Sequence, residues 1–101
     1  MAYTPIKLDK VRNFRYGMKA IHLIEKKLKK NISKVDFDDL SMEEIAIFMW
    51  AGLVHEDKSL TPDKVMDLVD EHSNFTDVME VMFQAFQESF GFEEEEEKEK
   101  N

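Results

Sequence analysis

The stretch SMEEIAIFMWAGLV, residues 41–54, decides the fold. Ser41 and Glu44 form an S-x-x-E capping box, in which the serine hydroxyl takes one free helix amide and the glutamate reaches back to another. The residues that follow, Ile45 through Leu53 and Val54, are apolar on nearly all sides. A helix of that kind is stable only with neighbours around it, so it belongs in the middle of a core. Gly52 falls within it, either to admit the close approach of a neighbouring helix or near the helix end.

Downstream, Thr61, Pro62 and Asp63 give a second start: threonine suits the cap, proline the first helical position, and an early carboxylate the positive end. Val65, Leu68 and Val69 then face one way up to His72. Residues 73–76 punctuate the chain, and a last helix carries Met79, Met82, Phe83, Phe86 and Phe90 at helical spacing, flanked by Val78 and Ala85 and stopped at Gly91. Upstream, Met18, Ile21, Ile24 (or Glu25) and Leu28 recur every three to four residues, with Ala20 and Leu23 widening the stripe. The opposite face holds Lys19, Lys26, Lys27, Lys29 and Lys30, the last four where cations favour the helix dipole. A short helix or turn is expected at residues 35–40. Between Ile6 and Tyr16, apolar and charged residues alternate at period two, interrupted around Asp9 and Lys10, which reads as an extended segment or short hairpin.

The expected fold is therefore mainly α: a small bundle of about four helices, with an extended or hairpin N-terminal segment, in one domain over residues 1–92. Residues 93–101, with Glu93 to Glu97 in a row, have nothing to bury and read as a disordered acidic tail. Phe48, Trp50, Leu53, Leu68, Phe83 and Phe86 are expected in the core, joined by Met18, Met49, Met79 and Met82. Met42 and Met66, at or near helix starts beside charges, suit a partner surface, because unbranched, polarizable side chains repack against varied surfaces.

Charge is sorted into two opposing blocks. Residues 1–34 hold ten Lys and Arg against Asp9 and Glu25, a formal +8, whereas residues 35–101 hold four Lys against twenty acids, a formal −16. Such a chain can attract another copy of itself or fold one half back on the other. No apolar run approaches bilayer length, no secretory signal stands at the N-terminus, and no cysteine is present, so a soluble protein of a reducing cytoplasm is expected. His22, His55 and His72 have no zinc-ligand spacing, and Asp36, Asp38 and Asp39 fail the calcium-loop pattern at three positions. No phosphate-cradling or nucleophile motif occurs. No enzyme, metal or cofactor is expected. The cluster Lys26, Lys27, Lys29, Lys30 and Lys34 is of a kind that binds phosphates, but the net charge of −8 opposes nucleic acid and favours a protein partner.

The order of signals resembles a known family. Tyr16, Gly17, Met18, Lys19, Ala20 and Ile21 lead into Ile24, Glu25 and Leu28; Phe48, Met49, Trp50, Ala51, Gly52 and Leu53 are followed by Leu60 to Val65 and by Asp67, Leu68, Val69 and Asp70. From about Ile6 to Phe90 the chain resembles the small tail assembly chaperones of long-tailed, non-contractile phages, particularly those of Gram-positive hosts. The resemblance rests on core and capping residues and carries no catalytic signature. It implies a protein that coats the tape measure protein before the tail tube polymerises, is made in two lengths by a programmed frameshift, and helps recruit tail tube subunits. It also implies self-association, residence in the host cytoplasm and absence from the finished virion. Glu99, Lys100 and Asn101 can be encoded by codons containing A AAA AAC or A AAA AAU, a slippery heptamer in the right phase.

On this reading the partner-binding candidates are the basic face, Lys26, Lys27, Lys29, Lys30 and Lys34; the methionines Met42 and Met66; and the segment Phe90, Phe92 and Glu93 leading into the acidic tail. Stacked copies could meet +8 segment to acidic half, head to tail. The alternative is a small acidic helical adaptor or inhibitor of a host protein, a DNA mimic in one form. A mimic should line carboxylates along one folded face, whereas here six acids, five of them in the run Glu93 to Glu97, fall in the tail and the rest are expected over caps and turns.

Overall fold

The computed structural model describes residues 3–90. The expected helix stop at Gly91 and the acidic tail lie outside the described residues. An antiparallel hairpin opens the chain, β1 (Thr4–Lys7) and β2 (Val11–Phe14), with Thr4 opposite Phe14 and Lys7 opposite Val11. The Leu8 amide donates to the Lys10 carbonyl at 2.9 Å and closes the loop. The period-two alternation holds: Thr4, Ile6, Leu8, Phe14 and Tyr16 are buried. Arg12, also buried, is kept inside by neighbouring carboxylates: its Nε and Nη2 each donate to Asp9 at 2.9 Å and its Nη1 donates to Asp57 at 3.4 Å.

Four helices follow: α1 (Met18–Leu28), α2 (Met42–Leu53), α3 (Pro62–His72) and α4 (Phe75–Phe90), with a 3₁₀ turn at Ile32–Lys34. All residues of α2 from Ile45 to Leu53 are buried, and the helix packs on α1, α3 and β2 at once, as its uniformly apolar sequence requires. Both arms of the capping box are made: the Glu44 amide donates to Ser41 Oγ at 3.1 Å and the Ser41 amide to Glu44 Oε1 at 2.9 Å. Thr61 caps α3 through the Lys64 amide at 3.1 Å, with Pro62 opening the helix. Trp50 anchors the next loop by donating its indole N–H to the Leu60 carbonyl at 2.9 Å. Helix α4 returns to lie against β1, and Phe86 meets Tyr16, Phe37 and Phe48 with ring centroids 5.3, 5.3 and 5.7 Å away.

Several sequence expectations need correction. Met18 is 89% exposed, because as the first residue of α1 it stands off the inward stripe of Ala20 and Ile24. Ile24 and not Glu25 faces the core. Residues 35–40 do form a turn, as expected, with the 3₁₀ turn just before it, and deliver Phe37 to the aromatic cluster. Helix α4 begins at Phe75, inside the supposed punctuation, because Asn74 Oδ1 accepts the Asp77 amide at 2.9 Å and its amide group donates to Asp77 Oδ2 at 3.0 Å. Leu68, Met79 and Phe83 are half-buried at the margin of the core. Gly52 stands near the end of α2, as the second of its two readings expects, and its close neighbour is the end of the hairpin and not another helix: a Cβ there would stand 2.5 Å from Tyr16 Cζ and 2.9 Å from Phe14 Cδ1.

Candidate docking surfaces

Helices α2 and α3 leave an open slot of about 220 Å³ between them, floored by Ile45, Ala46, Met49 and Val69. Met42, Met66 and Phe75 stand around it, 61%, 39% and 41% exposed. They are half of the large hydrophobic side chains exposed among the described residues, and they gather at one place, which scattered surface hydrophobics do not do. Asp70 closes one end. Past Met66 the slot continues into a second cleft, edged by Glu43, Asp63 and Lys27, that shares Ala46 and Met66 with the first. Asp63, Asp67, Asp70 and Glu71 are all exposed along α3, so the slot has an apolar floor and an acidic flank. These four carboxylates lie on one helix, not scattered over caps and turns.

Of the residues expected to bind a partner, Lys27, Met42 and Met66 meet at these two clefts. Lys27 also holds its ammonium 5.4 Å from the centre of the Trp50 ring, a cation–π placement. Lys26, Lys29 and Lys30 stand apart, around a shallow hollow with His22 and Asn31 at the end of α1. Lys30 reaches Glu44 at 3.7 Å, and Lys34 is exposed at the end of the 3₁₀ turn. Phe90 is the last described residue of α4, and Phe92 and Glu93 lie outside the described residues. Phe75 escaped the sequence reading, although N-x-x-D at residues 74–77 is a capping pattern that would have placed it at a helix start.

A third cleft, of about 390 Å³, lies where β2 ends beside the first turn of α1 and the last turn of α2. Arg15, Lys19, His22, His55 and Lys58 line it over an apolar floor, and no carboxylate does. These groups come from separate segments, so no local motif could have revealed them. The adjacent acids are occupied elsewhere: Glu56 accepts Asn13 N and Nδ2 at 3.1 and 3.0 Å, and Asp57 accepts Ser59 Oγ at 2.6 Å and Arg12. Arg15 lies 5.5 Å from the Tyr3 ring centre, and its buried Nε has no hydrogen-bond partner among the described residues. His55 Nε2 lies 2.8 Å from the Asn13 carbonyl.

The two charge blocks fold partly onto each other, through Arg12–Asp57 and Lys30–Glu44. Carboxyl pKa values respond to these contacts. The Arg12 hydrogen bond holds Asp9 at about 2, and Ser41, chiefly through its backbone, lowers Glu44. Ser59, with a smaller contribution from Arg12, lowers Asp57. Burial pushes the Tyr16 phenol well above its ordinary value.

Among the described residues no group of three or more His, Cys, Asp or Glu is placed to hold a metal ion, and no helix is long and apolar enough to cross a membrane. Comparison of the chain with protein-family models, curated proteins and solved structures finds no match.

Proposed function

We propose that this chain is a phage tail assembly chaperone that coats the tape measure protein, keeps it soluble and helps recruit tail tube subunits. The observation that carries the reading is the slot ringed by Met42, Met66 and Phe75. Its open apolar floor between α2 and α3 suits the apolar face of an amphipathic helix, and its methionines adapt to varied apolar side chains. The acidic flank along α3 selects, among such helices, those with lysine or arginine beside the apolar stripe. A long helical tape measure offers many such turns, so one adaptable slot repeated on many copies coats it. Lengthwise contact between copies, +8 block to acidic block, supports the coat through exposed, salt-sensitive contacts that are readily displaced.

The test is coexpression of a long helical phage tape measure protein with the wild-type chain or with Met42→Ser/Met66→Ser. The wild type is expected to raise the soluble fraction of the tape measure severalfold, and the double variant to lose that effect while melting at the same temperature. Equal solubility with and without the chain would overturn the proposal. Sequencing the gene through and beyond the codons for Glu99 to Asn101 supplies an independent check, since a slippery A-rich heptamer there followed by an open shifted frame is expected.

One observation favours the second reading, an acidic adaptor or inhibitor: the exposed row Asp63, Asp67, Asp70 and Glu71 is the kind of carboxylate line a DNA mimic presents. Competition with DNA for a host DNA-binding protein, weakened by Asp67→Asn/Asp70→Asn, would support it over the chaperone.

A further inference from the structure

In a chain of net charge −8, the cleft at Arg15 gathers three fixed cations and two imidazoles with no carboxylate among its lining. Such a concentration of positive charge attracts anionic groups. None of Arg15, Lys19 and Lys58 forms an ion pair among the described residues, whereas Arg12 and Lys30 each do. The cleft therefore fits a ligand with several carboxylates spaced along a flexible backbone, whose stems can lie on the apolar floor.

The chain carries such a ligand itself, the uninterrupted run Glu93 to Glu97. The end of α4 lies beside the hairpin, since Thr4 Oγ1 donates to Glu88 Oε1 at 3.4 Å and Phe86 packs edge-on against Tyr16. Tyr16 sits between Arg15 and Gly17, both of which line the cleft. Fully extended, the chain beyond Phe90 reaches about 10 Å to Glu93 and about 24 Å to Glu97. Tethered at that distance, the run has an effective concentration in the millimolar range, so individually weak charge contacts suffice.

We infer that the cleft formed by Arg15, Lys19, His22, His55 and Lys58 is a polyanion site that takes the chain's own Glu93 to Glu97 run. The run then covers the cleft and withholds its cations from acidic surfaces of other proteins. The inference is independent of what occupies the slot between α2 and α3.

The chain is free of cysteine, so the full-length variant Asn101→Cys takes a single nitroxide label next to the acidic run. Amide NMR spectra are then recorded on isotope-labelled protein. Peaks of Arg15, Lys19, Val54 and Lys58 are expected to fall severalfold in height at about 0.01 M salt, where charges act over about 30 Å, and to recover at about 1 M, where they act over about 3 Å. Replacing all of Glu93 to Glu97 with Gln, or making Lys19→Glu/Lys58→Glu at two exposed positions, abolishes the loss without moving the melting temperature. Broadening confined to Lys26–Lys34, or absent altogether, would overturn the inference. So would broadening that appears only between copies, when spin-labelled protein is mixed with isotope-labelled protein lacking the nitroxide.

Discussion

The Tyr16 hydroxyl donates to the backbone carbonyl of Phe48, so the residue that leaves the hairpin is tied to the interior of the central helix. Both partners are buried, and Phe48 lies one turn before Gly52, whose missing side chain leaves room for the Tyr16 ring. Tyr16→Phe keeps the packing and loses the bond, at an expected cost of about 1–2 kcal/mol. Gly52→Ala reverses the usual helix preference. Alanine gains about 1 kcal/mol of helix propensity, but its Cβ would stand 2.5 Å from a buried ring atom, and overpacking of this kind costs about 1–3 kcal/mol. Both variants are expected to melt below the wild type, and a more stable Gly52→Ala protein would show that Tyr16 moves aside freely.

Lys29, which follows α1, has φ of 61°, the one non-glycine residue with positive φ among the described residues. A side chain in the left-handed region is strained and glycine is not, so Lys29→Gly is expected to stabilise the fold by roughly 0.5–1 kcal/mol despite the freedom glycine adds to the unfolded chain. Denaturant titration reads this directly. Lys29→Ala, which removes the same charge and keeps the strain, is the control and should not stabilise.

Acid should weaken the hairpin through Asp9. Its carboxyl titrates at about 2 in the folded chain, against 3.8 ordinarily, because Arg12 hydrogen-bonds the charged form. As pH falls through 3.8 the unfolded chain takes up the proton first, so the stabilisation is whole above that value and drains away on the way down to about 2. Asp9→Asn is less stable at neutral pH and loses less on acidification, and the two curves converge near pH 2 when stability is followed by denaturant titration. Parallel curves would show that the Asp9–Arg12 pair contributes nothing.

Trp50 is buried, with its indole N–H on the Leu60 carbonyl and Lys27 over its face. Truncation to alanine removes packing and leaves that carbonyl unpaired, at an expected cost of about 3–5 kcal/mol. Trp50→Phe keeps most of the packing and isolates the hydrogen bond, at about 1–2 kcal/mol. An unchanged melting temperature in Trp50→Ala would mean that the ring is outside the core.

Much of this architecture was legible from residues that act locally. The Ser41–Glu44 box and the Thr61–Pro62 start work within one turn, so sequence alone locates them, and the apolar length of α2 announces a helix with neighbours on every side. Asn74 was less visible, because the serine, asparagine and threonine around it serve loops as readily as caps. Periodicity misplaced Met18, since a stripe fixes a helix's phase but says nothing of where its first turn has neighbours. At the docking surfaces, Met42 and Met66 were recognisable as methionines out of place beside charges. Phe75 became their neighbour only through the α3–α4 corner, and Arg15, His22, His55 and Lys58 converge only when the hairpin docks on α2.

The contact between Thr4 and Glu88 joins positions 84 residues apart, and the Tyr16–Phe86 pair beside it is nearly as distant in sequence. During synthesis the first strand therefore leaves the ribosome long before the helix that covers it. Tyr16 and its neighbours wait for α4, and the emergence of that helix closes the fold. A nascent chain halted before Phe86 would present an unfinished aromatic cluster to chaperones and proteases, so the emergence of α4 governs when the protein becomes resistant to them.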